Sequence, residues 1–153
     1  MRYILFGPMG WDHRPYWTYL SSVRAKMPPH LYSLAANPEN HDLKSPNSLH
    51  DAWLERFELV ELRRRNLQIN LCLLGPQHDR HINLSYKGVM NYGIHNPDKF
   101  IAPHTLDKGH GDLLVHEVTI IDEGLFSHEL LFSKGTDIYI EFTDMEHQIQ
   151  MID

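Results

Sequence analysis

Two His-Glu pairs, His116-Glu117 and His128-Glu129, flank the turn-forming Asp122-Glu123-Gly124. Imidazoles and carboxylates coordinate divalent metals and move protons near neutral pH, so their repetition across a turn raises the question of a shared site. A three-residue loop with Gly124 in the left-handed conformation answers it by register. It sets Glu117 opposite Glu129, Val118 opposite His128, His116 opposite Leu130, Thr119 opposite Ser127, Ile120 opposite Phe126 and Ile121 opposite Leu125. A second turn at Lys134-Gly135 pairs Leu130 with Ile138, His128 with Ile140 and Phe126 with Phe142. The two registers agree on one apolar face, which a slip of one residue would scramble. The pairs therefore split. His116 and His128 point to the apolar face, whereas Glu117 and Glu129 oppose each other on the other face with Glu141 diagonal to Glu129.

On the histidine face, His110 and Asp112 share the parity of His116 and join His128 as candidate ligands for zinc or another divalent ion. With twelve histidines in the chain such coincidences arise easily. The expectation is neutral, hydrogen-bonded histidines at the edge of a core, with no bound cofactor and no stoichiometric transition metal. On the other face, like charges directly opposite in a sheet are mildly unfavourable, so the glutamates read as a solvated surface or as a surface met by something cationic. That reading expects Glu117→Gln with Glu129→Gln to leave stability unchanged or slightly raised. Stability loss would instead mark both carboxylates as paired internally with arginines and structural. An exposed sheet face is also a poor place to raise a carboxyl pKa, which argues against paired acid–base hydrolysis.

Other combinations are weaker. His50-Asp51 and His78-Asp79 look like His-Asp metal pairs, but that chemistry gathers ligands from several helices and this chain is mostly strand after residue 53. Cys72 is the sole cysteine, which excludes a disulfide framework and a thiolate cluster; within Leu71-Cys72-Leu73 it reads as a buried structural thiol. The Arg63-Arg64-Arg65 run reads as a solvated hairpin tip. The formal net charge of −6 disfavours nucleic acid or an anionic membrane as the partner. No apolar run reaches the length that spans a bilayer, and the stretch near Met1 is too short for a secretory core, so a cytoplasmic location is expected.

The elements that must position these groups follow from period. Tyr16, Leu20, Val23 and Met27 recur at helical spacing, with Pro15 in the first turn and Pro28-Pro29 as the stop, and a short second helix follows through Leu31, Leu34 and Ala35. Residues 37–48 are rich in Asn, Pro and Ser and read as a loop. After Trp53 the period becomes two, with strands expected near 54–62, 67–74, 81–92, 113–121, 125–133 and 136–144. The reading is one α+β domain over 1–153: an N-terminal helical segment (1–48), then an antiparallel β-meander (49–153) folded as a sandwich or curved sheet. The 93–112 stretch is a long loop with Phe100 and Ile101 at its centre, and is the expected place for a binding contact.

The segment SLHDAWLERFELVE, preceded by a Pro-bounded helix and followed by HELLFSKGTDIYIEFTD, resembles small bacterial β-rich proteins of uncharacterised families. Some of these are immunity-type proteins found beside toxins, and the likeness runs over most of the chain beyond about residue 16. It carries no catalytic residues across; Ser48 or Asp51 of the Leu49-His50-Asp51-Ala52 stretch is expected to satisfy backbone amides where the first strand begins. The functional expectation is a non-enzymatic protein-binding module, an immunity-type protein that neutralises a basic toxin. Glu117, Glu129, Glu141, Phe100 and Ile101 would meet that partner. The alternative is a small metal-binding protein or metal-dependent hydrolase built on the histidine face.

Overall fold

The computed structural model describes residues 1–96 and 109–152. It has the expected α+β architecture, with two short helices followed by antiparallel strands. Helix α1 (Arg14–Val23) buries Tyr16 and Leu20, and α2 (Pro29–Ala36) buries Leu31, Leu34 and Ala35. A 3-10 turn over Arg24–Lys26 breaks the helical run ahead of Pro28, as a residue preceding proline avoids the helical region.

The strands are β1 (Leu5–Gly7), β2 (Gly10–Asp12), β3 (Trp53–Leu62), β4 (Asn66–Leu74), β5 (Arg80–Lys87), β6 (Asn91–His95), β7 (Leu113–Asp122), β8 (Leu125–Phe132), β9 (Asp137–Phe142) and β10 (Asp144–Met151). They form a β1–β2 hairpin and two four-stranded sheets, ordered β10-β5-β4-β3 and β6-β9-β8-β7. Ile69, Leu71, Leu73, Ile82, Leu84 and Tyr86 of one sheet and Val118, Phe126, Leu130, Ile138, Ile140 and Phe142 of the other belong to a single buried core.

Sequence periodicity missed β1, β2 and β10, and it fused β5 with β6. The reason is a corner. β5–β6 and β9–β10 are two adjacent strands that pass from one sheet to the other at Gly88 and Thr143, where Thr143 N donates to Lys87 O at 3.1 Å. Strands that switch sheets need a bend. Gly88 supplies it with φ +58°, and a Cβ there would lie 2.1 Å from Thr143 Oγ1. Gly88→Ala is expected to cost about 2 kcal/mol, the left-handed strain plus that overlap. Urea unfolding checks it, and the double substitution with Thr143→Ala should recover the steric part only.

β7 is an outer strand of its sheet, with backbone groups that need partners or cover. Helix α1 provides both. The Tyr16 hydroxyl accepts from Val118 N at 2.8 Å and donates to Val118 O at 3.1 Å, and the Tyr19 hydroxyl accepts from Ile120 N at 2.7 Å. Helical spacing set Tyr16 and Leu20 on one face; the use of tyrosine hydroxyls to close a sheet edge is visible only in the fold.

Candidate functional site

The predicted register of β7, β8 and β9 is the one observed. Glu117 faces Glu129, Val118 faces His128, His116 faces Leu130, and His128 faces Ile140. One pair differs: a bulge between Ile120 and Asp122 puts Asp122, not Ile121, opposite Leu125.

His116 and His128 are fully buried and joined in a chain of hydrogen bonds whose direction is fixed by its far end. His116 Nε2 lies 3.3 Å from the Asn40 carbonyl, which can only accept, so this nitrogen carries the proton. The other nitrogen, Nδ1, must then accept from His128 Nε2 at 3.1 Å. That leaves His128 Nδ1 as the acceptor for the Tyr86 hydroxyl at 2.8 Å. All four ring nitrogens are committed, and both rings are neutral. Burial pushes the His116 imidazole well below its ordinary value, with His41 and His128 adding to the effect, and pushes His128 to about 3. His41 stacks on His116 with centroids 4.2 Å apart and is itself held at about 4, mainly by burial.

Asn40 is the hinge of this arrangement. It sits in a 3-10 turn (Pro38–His41), and its side chain donates to the Leu34 carbonyl at 2.8 Å, satisfying an end group of α2. The loop after the helices is therefore part of the core floor, which its Asn/Pro/Ser composition did not reveal.

His110 and Asp112 are not brought to His116 and His128. His110 Nδ1 pairs with Thr136 Oγ1 at 2.9 Å, and Asp112 accepts from the Trp53 indole, at the rim of a cavity also lined by Leu54, Ser133 and Lys134. The four candidates lie in two separate places. Phe100 and Ile101 lie outside the described residues. The 93–112 stretch begins as strand rather than loop, since β6 runs to His95 and pairs with β9.

The expectation of a solvated acidic face is corrected at Glu117. This carboxylate is only 2% exposed. It accepts hydrogen bonds from the backbone N–H groups of Arg2, Tyr3 and Ile4 at 2.8, 2.7 and 2.8 Å. Three successive amides wrapped around one anion form a nest, which offsets the cost of burying the charge. Glu129 is partly exposed and receives the Met1 amino group. Glu141 accepts from the Tyr139 hydroxyl at 2.8 Å, and burial together with that carboxylate pushes the phenol up to about 12. The residues that open the chain thus cover the face the sequence left bare.

The Leu49-His50-Asp51-Ala52 stretch behaves as a joint. Leu49 and Ala52 are buried, and Ser48 Oγ accepts from His50 N at 3.0 Å, as expected. His50 Nδ1 lies 2.9 Å from its neighbour Asp51, while His78 packs edge-on to Trp53 and Asp79 pairs with Arg80. The two His-Asp pairs lie in separate places, and His50 Nδ1, although close to Asp51, is buried without a hydrogen-bond partner among the described residues. Arg63-Arg64-Arg65 forms the exposed β3–β4 tip.

Three features had no sequence signal. The β1–β2 hairpin raises Leu5, Phe6 and Met9 into solvent, with Phe6 72% and Met9 99% exposed. A cleft between α2 and β10 carries a His30–Asp144 pair at 2.7 Å and the shielded Nε2 of His147, which has no hydrogen-bond partner among the described residues. Glu55, Cys72 and His81, from three adjacent strands, converge on the outer face of the first large sheet. No family model matches the chain, and the search of curated proteins finds no relative.

Proposed function

We propose that this protein is a non-enzymatic binding module that engages a basic protein partner. The observation that carries the reading is the β1–β2 hairpin. Its tip presents Phe6, packed on Trp11 with centroids 4.9 Å apart, beside exposed Leu5 and Met9. Aromatic and methionine side chains held in solvent on a two-strand support are the groups that protein interfaces use as anchors. The groups first suspected of chemistry are engaged inside the molecule: the histidines with one another, Tyr86 and Asn40, and Glu117 with backbone amides. The formal charge of −6 favours a basic partner through faster, salt-dependent association. An immunity-type role, in which the chain neutralises a basic toxin, is the specific form of this proposal.

The test is cross-linking and affinity capture from the native host, comparing wild type with a Phe6→Ser, Met9→Ser double variant. Both substitutions relieve exposed apolar surface, so the unfolding free energies should agree within about 0.5 kcal/mol. A basic partner recovered with wild type and lost with the variant is the expected result. A partner that binds both equally would remove the hairpin from the interface.

A further inference from the structure

We propose that Glu55, Cys72 and His81 form a binding site for one divalent cation of the zinc class, with its fourth position open to solvent. The site lies on the face of the β10-β5-β4-β3 sheet that points away from the core.

Strand alternation places Cys72 there. Ile69, Leu71 and Leu73 belong to the hydrophobic core, whereas Cys72 does not, although it is only 8% exposed. Polar side chains of the neighbouring strands shield it instead: it shares a shallow depression with Arg56, Glu58, Asn70, Asn83 and Ser85. The expected burial of this thiol is observed, but on the outer face of the sheet and outside the contiguous core cluster. This thiol is set into a polar surface.

His81 and Glu55 reach it from either side. Cys72 pairs with Asn83 across β4–β5, so His81 is its diagonal neighbour on β5. On β3 the register shifts between Leu54, opposite Leu73, and Arg56, opposite Cys72, which makes Glu55 the extra residue of a β-bulge. Bulges re-aim a side chain that regular pleating would send elsewhere. Here the result is a Glu55 carboxylate 2.9 Å from His81 Nε2, and a sulfur, a nitrogen and an oxygen all within 4.8 Å of one another.

A cation at the centre of such a triangle would need each ligand to close in by less than about 1 Å to reach zinc bond lengths. The carboxylate and imidazole are 42% and 33% exposed and free to make that adjustment. The donor set names the metal class. Thiolate with imidazole selects zinc over magnesium or calcium, which prefer oxygen alone. Three protein ligands leave a fourth position, directed to solvent, for water or a partner's side chain. Binding would release the thiol proton to solvent and replace the proton that His81 Nε2 shares with Glu55, which moves to Nδ1 of the neutral ring or, from an imidazolium, to solvent. The sequence expectation of a metal-free protein came from the His116 face and did not consider this trio, whose members are scattered over three strands.

The experiment is a titration of the reduced, metal-stripped protein with Co²⁺ as a spectroscopic stand-in, followed by Zn²⁺ competition. One equivalent of Co²⁺ should produce a thiolate-to-metal charge-transfer band and visible bands of a four-coordinate ion, both removed by Zn²⁺. Cys72→Ser should abolish the charge-transfer band. His81→Gln and Glu55→Gln, at partly exposed positions that leave the core intact, should each weaken binding by at least the roughly 10–100-fold that loss of a ligand's orienting partner costs. Absence of the charge-transfer band in wild type overturns the proposal. So does a band that survives unchanged in both His81→Gln and Glu55→Gln, because the metal would then be held elsewhere.

Discussion

Glu117→Ala is expected to lower the unfolding free energy by about 3–5 kcal/mol, the range for removing one partner of a buried, hydrogen-bonded charge. The substitution strips the acceptor from three amides at once, those of Arg2, Tyr3 and Ile4. It also releases Ile4, which is 2% exposed in the core, and loosens Tyr3 from its stack on Tyr19 at 4.0 Å. Glu117→Gln should cost less, about 2 kcal/mol, because the amide retains one acceptor oxygen but turns an N–H toward a donor. Glu129→Gln, on a half-exposed side chain, should cost under about 1 kcal/mol. Chemical denaturation of the three variants, with amide exchange at residues 2–4, checks this ordering. A Glu117→Gln protein as stable as wild type would return the acidic face to the solvated role its sequence suggests.

Acid should destabilise the fold well above the range in which carboxylates titrate. His41, His116 and His128 have folded pKa values depressed by burial, to about 4 for His41 and about 3 for His128. Their unfolded value is near 6.5, so the unfolded chain binds more protons in between, and stability falls as pH falls. The loss begins as pH drops through the unfolded value, and each ring's contribution levels off below its folded pKa. From about pH 7 to about pH 5, His41 and His128 should each cost about 2 kcal/mol, about 4 kcal/mol together, and His116 adds to the loss in the same direction. The hydrogen-bond chain explains why the folded state resists the proton. Protonating His116 would set two N–H groups against each other unless His128 and Tyr86 both reversed their roles. Urea unfolding across this pH range should give a slope that reaches at least two protons near pH 5, from His41 and His128, with His116, His13 and His147, also depressed by burial, adding to it. A flat profile would mean that the imidazoles take up protons within the native state. In that event His41→Gln would leave the pH dependence unchanged instead of removing about one proton from it.

These two expectations meet on one hairpin, and the sequence foresaw half of each. It placed His116 and His128 inward and Glu117 and Glu129 outward, with the right partners across β7, β8 and β9. That much follows from local rules. Side chains alternate along a strand, and a glycine-bearing turn fixes the register. Gly124 at φ +70° and Gly135 at φ +88° are the residues that fix it here. The helical face of Tyr16 and Leu20 was legible for the same reason, since periodicity acts over a few residues, although α1 ends at Val23, ahead of the proline stop.

What covers each face was not legible, because it depends on segments distant in sequence. Glu117 became a buried anion because residues 2–4 cross over it, more than a hundred positions away. His116 became the middle of a directed chain because Asn40 turns its carbonyl inward and Tyr86 approaches from the opposite sheet. Glu55, Cys72 and His81 meet because a bulge in one strand and the diagonal geometry of two others superimpose three unrelated positions. Alternation and turn chemistry determined which way each side chain points. Only the tertiary path decided what each one finds there, because that path is set by long-range burial and hydrogen-bond satisfaction summed over the whole chain, to which no short stretch holds the key.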